Sequence, residues 1–178
     1  MSLITIVLNG LKELTSFINN NNNKHGNTVH HNLTVWYGTT TEKILAWREL
    51  RTTLKDKTID EIIYDIDQWW TFTPWVRKTI DAYKPETWPT PWDMINRGEF
   101  CRSAIALGQA YTLWMCSPNL GTELWLVNNF SEKDIHLVVV IDEKTVLNYT
   151  LGHVLTLEEC NFEVLSKITK NDLSHIKI

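Results

Sequence analysis

Cysteine is scarce in this 178-residue chain, positive charge is outweighed, and no apolar run is long enough to cross a membrane. Three cysteines, Cys101, Cys116 and Cys160, are an odd number at no metal-ligand spacing. That argues against a disulfide framework and for a reducing compartment. A formal net charge of -4 and a pI near 5.8 leave no basic field to capture a phosphate backbone, so no nucleic-acid partner is expected. The apolar start at Met1 to Leu8 lacks a basic flank and a small-residue cleavage site, so neither a secretory signal nor a membrane association is expected. No repeat is visible, and His30-His31 would point to opposite faces of a strand, which makes a poor metal site. No metal or cofactor is expected.

What is present in excess is tryptophan. Nine of them, mostly between Trp36 and Trp125, indicate either a core of large rings or an aromatic-lined surface. Leu3, Val7, Leu11, Leu14 and Ile18 recur at helical spacing, and the asparagine run Asn19 to Asn23 then reads as a loop. Alternation from Val29 through His31, Leu33 and Val35 to Tyr37 predicts a strand. A helix capped by Thr40 or Thr41 follows, carrying Ile44, Trp47, Leu50 and Leu54. Thr58 to Glu61 forms a capping box for the next, with Ile62, Ile63, Ile66 and Trp70. Thr73-Pro74-Trp75 predicts a third helix ending before Pro85. Thr90-Pro91 starts a short one closed by Gly98.

From Glu99 to Met115 nearly every side chain is apolar or small, so this helix is expected to be sheathed on all sides. Three strand-like segments follow, Thr122 to Asn128, Ile135 to Ile141 and Thr145 to Leu151, then a helix capped by Thr156 with Glu159 and a short strand at Phe162 to Ile168. The pattern predicts one α+β domain over 1–178, mainly helical over 1–98 and with a buried helix on an antiparallel sheet over 99–178.

Chemistry enters at Cys101. A thiol is a nucleophile only as thiolate, and unpaired N–H groups at the first turn of a helix favour the anion. His136 heads a strand that follows this helix, where an imidazole could serve as base, and Asn148 on the next strand could orient it. Each also has a plain structural reading: Cys101 as a small buried hydrophobe, His136 as a strand-end histidine, Asn148 as hairpin chemistry. Cys116 and Cys160 read as packing residues.

The order Cys, His, Asn, with Gly98 before the cysteine, Ala104 and Ala106 after it, and His136 to Val140 leading into Val146-Leu147-Asn148, resembles the transglutaminase-like branch of the papain-like cysteine hydrolases. The match covers roughly Pro91 to Asn148. It implies Cys101 as nucleophile, His136 as general base, Asn148 as orienter and the Cys101 N–H as an oxyanion donor, acting on an amide or thioester. Hairpin parity bears on this. A two-residue tip at Glu143-Lys144 would put Asn148 on the opposite face from His136, and a three-residue loop over Asp142 to Lys144 would return it to the same face. Trp88 and Trp92, flanking prolines, could line a groove above Cys101 or clamp the chain.

A second resemblance, from Trp88-Pro89-Thr90-Pro91-Trp92 to Tyr111 and again at Val146 to Tyr149, is to a small protein of large contractile-tailed bacteriophages. It implies work in a bacterial host's cytoplasm or in the virion, and a protein partner there. The alternative function is therefore a non-catalytic virion or host-interaction protein. The sequence carries no signal for an oligomeric state.

Overall fold

The computed structural model describes residues 35–176. The helix expected over 3–18, the asparagine loop and most of the strand expected over 29–37 lie outside them. Four α-helices and a five-stranded antiparallel sheet make up the described regular structure, besides short 3-10 turns. The helices are α1 (Thr40–Thr53), α2 (Ile59–Thr71), α3 (Pro91–Arg97) and α4 (Arg102–Cys116). The strands are β1 (Thr122–Asn129), β2 (Asp134–Ile141), β3 (Thr145–Leu147), β4 (Leu155–Thr156) and β5 (Phe162–Ile168), in the order β4-β3-β2-β1-β5.

Local sequence explains most boundaries. Thr39 caps α1 and Thr58 caps α2 through reciprocal bonds with Glu42 and Glu61. Thr90 accepts the Asp93 N–H at the start of α3, and Gly98 closes it at φ 67°, a left-handed conformation that costs a glycine little. α4 is buried from Ser103 to Trp114, as its unbroken apolar circumference requires. It lies on β1 and β2, and α2 packs against its other side.

The tryptophans are mainly core. Trp36, Trp69, Trp70 and Phe100 form one aromatic cluster with ring centroids 4.5–5.6 Å apart. Gly108 lets it close on α4: a Cβ there would meet the Trp70 ring at 2.5 Å. One turn further on, the Thr112 hydroxyl accepts the indole N–H of both Trp47 (3.0 Å) and Trp70 (2.9 Å) while donating to the Gly108 carbonyl.

Three segments differ from the sequence reading. The alternation expected to run as strand to Tyr37 ends in a turn, with the Gly38 N–H on the Val35 carbonyl at 3.0 Å, because Trp36 is drawn into the aromatic cluster. No third helix runs from Thr73 to Lys84. Thr73 instead closes α2 by donating to the Trp70 carbonyl, and the chain from Pro74 to Val76 is held extended by Phe100. The Phe100 N–H donates to the Pro74 carbonyl and the Val76 N–H to the Phe100 carbonyl, each at 2.9 Å. β3 stops at Leu147 rather than Leu151, since Asn148 turns left-handed at φ 65°.

Candidate active site

Cys101 is the N-cap of α4, with an extended backbone and its carbonyl already accepting the Ile105 N–H at 3.0 Å. Its side chain is 5 % exposed, so access to the sulfur is narrow. The Thr79 hydroxyl donates to Sγ at 3.3 Å and accepts the Cys101 N–H at 3.2 Å. Burial pushes the thiol up, but the Thr79 hydroxyl, with backbone N–H groups of Thr79, Ile80 and Ala104, outweighs it and leaves Cys101 below the ordinary thiol value. The other thiols go the opposite way. Burial raises Cys116, and burial with the Glu159 carboxylate raises Cys160 to about 11.

The pairing of β2 decides where His136 points. Leu137, Val139 and Ile141 belong to the main core beneath α4, whereas Val138 and Val140 belong to a second cluster with Trp125, Val127, Val146 and Tyr149. His136 stands opposite Val127, so alternation sets it on the side of that second cluster, across the sheet from α4. Among the described residues neither imidazole nitrogen has a hydrogen-bond partner, and Nδ1 lies 3.5 Å from the Asp134 carboxylate. Burial and the Arg102 guanidinium lower the imidazole to about 4, against a smaller upward pull from Asp134 and the Asn148 carbonyl. It is neutral at neutral pH. The expected thiol–imidazole hydrogen bond is therefore absent from this arrangement, and the sulfur's side-chain partner is Thr79.

Asn148 is central, in a different way from the one expected. The hairpin loop is the three-residue one, Asp142 to Lys144, with Ile141 opposite Thr145. Because the chain leaves the strand at Asn148, its side chain turns toward the start of α4. The amide Nδ2 donates to the Arg102 carbonyl (3.0 Å) and to the Leu137 carbonyl (2.8 Å). Ser103 adds a second tie by accepting the Leu137 N–H at 3.2 Å. The Arg102 guanidinium crosses to the Tyr149 carbonyl and to Glu132. Together these fix the first turn of α4, and hence Cys101, on the edge of β2 that β3 leaves uncovered.

The two tryptophans expected at the site are held by other partners. Trp88 is buried and its indole N–H donates to the Asp81 carbonyl at 2.8 Å, which pins the segment carrying Thr79. Trp92 sits edge-on to Trp47 with centroids 5.3 Å apart and beside Arg51, whose guanidinium reaches Met115 in the last turn of α4. At 1.5 Å per residue that is about 20 Å of helix from Cys101. Both act as clamps. Thr79, by contrast, was invisible to sequence reading: Lys78-Thr79-Ile80 carries no motif, and its placement depends on Phe100 and Trp88 holding an irregular chain.

A buried helix with a cysteine at its N-cap, laid on an antiparallel sheet, is the transglutaminase-like form of the papain-like α+β fold. Solved structures with this fold include Legionella pneumophila LapG. One LapG structure matches at 14% identity and TM-score 0.63, over 81% of this chain and 85% of that one. The EGTA-treated form matches at 14% and 0.63, over 80% and 82%, and the calcium-bound form at 15% and 0.64, over 81% and 85%. The likeness at these identities is one of fold. No family model matches the sequence, and neither does any curated protein.

Proposed function

We propose that the chain is a thiol-dependent hydrolase or acyltransferase acting through Cys101 on an amide or thioester. The observation that supports this most is the Thr79 hydroxyl donating to Sγ of a cysteine that caps a helix, with backbone N–H groups of Thr79, Ile80 and Ala104 also favouring thiolate despite burial. Thiolate attack on the acyl carbonyl joins the acyl group to sulfur and releases the amine or thiol, which takes up a proton. Water or an amine then attacks the Cys101 thioester, loses a proton and restores the thiolate. His136 faces away from α4 in this arrangement, and the donors that favour the thiolate do not include it. LapG has a calcium-bound form. Among the described residues no three His, Cys, Asp or Glu side chains gather as a cation site.

The test is to incubate the full chain with a short peptide thioester and with the same peptide as an amide, and to map adducts by mass spectrometry. An acyl adduct on Cys101, absent from Cys101→Ala, is the expected result. No adduct from either donor would overturn the reading. One observation favours a second reading, a non-catalytic virion or host-interaction protein working in a bacterial host's cytoplasm or in the phage particle: the imidazole stands across the sheet from the thiol. On that reading a protein partner co-purifies equally with the native chain and with Cys101→Ala.

A further inference from the structure

Thr79 stands in a segment without regular structure, yet it is the side chain that meets the sulfur. Its hydroxyl does two things at once: it accepts the Cys101 N–H at 3.2 Å and donates to Sγ at 3.3 Å. Accepting from the backbone fixes where the oxygen sits. The hydroxyl hydrogen is then directed at the sulfur, where it stabilises an anion more than a neutral thiol. The segment is held on both sides of this contact. Pro74 and Val76 bond the backbone of Phe100, the residue before Cys101, and the Trp88 indole N–H holds the Asp81 carbonyl two residues beyond Thr79.

We infer that Thr79 is a positioning residue that sets the reactivity of Cys101, occupying with a hydroxyl the place at the sulfur where a histidine was expected. This rests on the reading of Cys101 as a nucleophile. It also has a consequence for the oxyanion. The Cys101 N–H is engaged by Thr79, so a substrate carbonyl oxygen reaches that donor only by displacing the hydroxyl. The lowered thiol value is consistent with the geometry.

The test is the rate of Cys101 alkylation by iodoacetamide against pH, in the full chain, for native protein, Thr79→Val and Thr79→Ser. Valine keeps the volume and removes the hydroxyl; serine restores it. A one-unit rise in thiol pKa would cut the thiolate fraction about tenfold below the midpoint, while the more basic thiolate reacts roughly threefold faster. The expected profile for Thr79→Val is therefore about three- to fourfold slower at neutral pH and faster on the alkaline plateau, with Thr79→Ser near native. Loss of packing alone would not give opposite changes at the two ends. A Thr79→Val profile that coincides with the native one, on a Cys101 that still outpaces Cys116 and Cys160, overturns the role of Thr79 and leaves the nucleophile reading intact. A native Cys101 no faster than the other two overturns both.

Discussion

Thr112→Val lowers the free energy of unfolding by about 2–6 kcal/mol, the cost of leaving two buried indole N–H groups without an acceptor at about 1–3 kcal/mol each. The shape changes little, so the loss is electrostatic rather than a cavity. Trp47 from α1 and Trp70 from α2 both end on this one oxygen of α4, so three helices lose their common polar contact together. Denaturant titration is the measurement: the midpoint falls with an unchanged slope, and Thr112→Ser retains most of the native value. A loss below about 1 kcal/mol would mean that the indoles find other acceptors.

The second large effect is one of pH, and it is hidden in the native protein because two buried groups oppose each other. Asp67 lies between α2 and α4, accepting from Gln109 Nε2 at 3.0 Å, and burial raises it to about 6 against the pull of Gln109, Gln68 and His153. A carboxyl raised in the folded state adds stability that is complete below its unfolded value of 3.8 and lost as pH rises through about 6. His136 is lowered from 6.5 to about 4, so it adds stability that is present above 6.5 and lost as pH falls toward 4. Each amounts to about 3 kcal/mol across its window at 1.36 kcal/mol per unit.

The two cancel between about pH 4 and 6. Asp67→Asn removes one side: it is more stable than native above pH 6 and loses up to about 1.4 kcal/mol per pH unit on acidification. His136→Gln does the opposite and gains stability over the same range. The exposed cap carboxylates Glu42, Glu159 and Asp172, all lowered by their threonine partners, add a background common to the three proteins. The readout is therefore the difference between variants, by chemical denaturation at each pH. Parallel pH profiles for all three would contradict the assignment of these two groups.

Elements with a local signature were legible in the sequence. Capping boxes at Thr58 and Thr156, the proline start and glycine end of α3, the apolar circumference of α4 and the span of β5 all follow from short-range chemistry. What failed depended on contacts distant in sequence. Thr73-Pro74 has the chemistry of a helix start, but Phe100 takes the backbone of that segment in an extended form. The strand expected to reach Tyr37 yields to burial of Trp36 against Trp69 and Phe100.

The same division runs through the site. Cys101 at a helix start was visible from pattern alone, whereas Asn148 reads as a partner of the histidine or as hairpin chemistry. Their partners were not visible. The hairpin loop had the length that returns Asn148 to the histidine's face, yet Asn148 adopts a positive φ and bonds Arg102 and Leu137 instead. The face of His136 follows from strand register with Val127, which no single-strand pattern specifies. Thr79 could be found only once the irregular chain before Pro85 was placed.

The fold prepares one thiol of three, lowering Cys101 while raising Cys116 and Cys160. Competitive alkylation of the full chain with limiting iodoacetamide near pH 7, followed by peptide mapping, tests it directly. Cys101 is expected to label about tenfold or more ahead of Cys116 and Cys160, although it is the most buried of the three. Labelling that follows exposure instead, with Cys116 and Cys160 ahead of Cys101, would contradict the account.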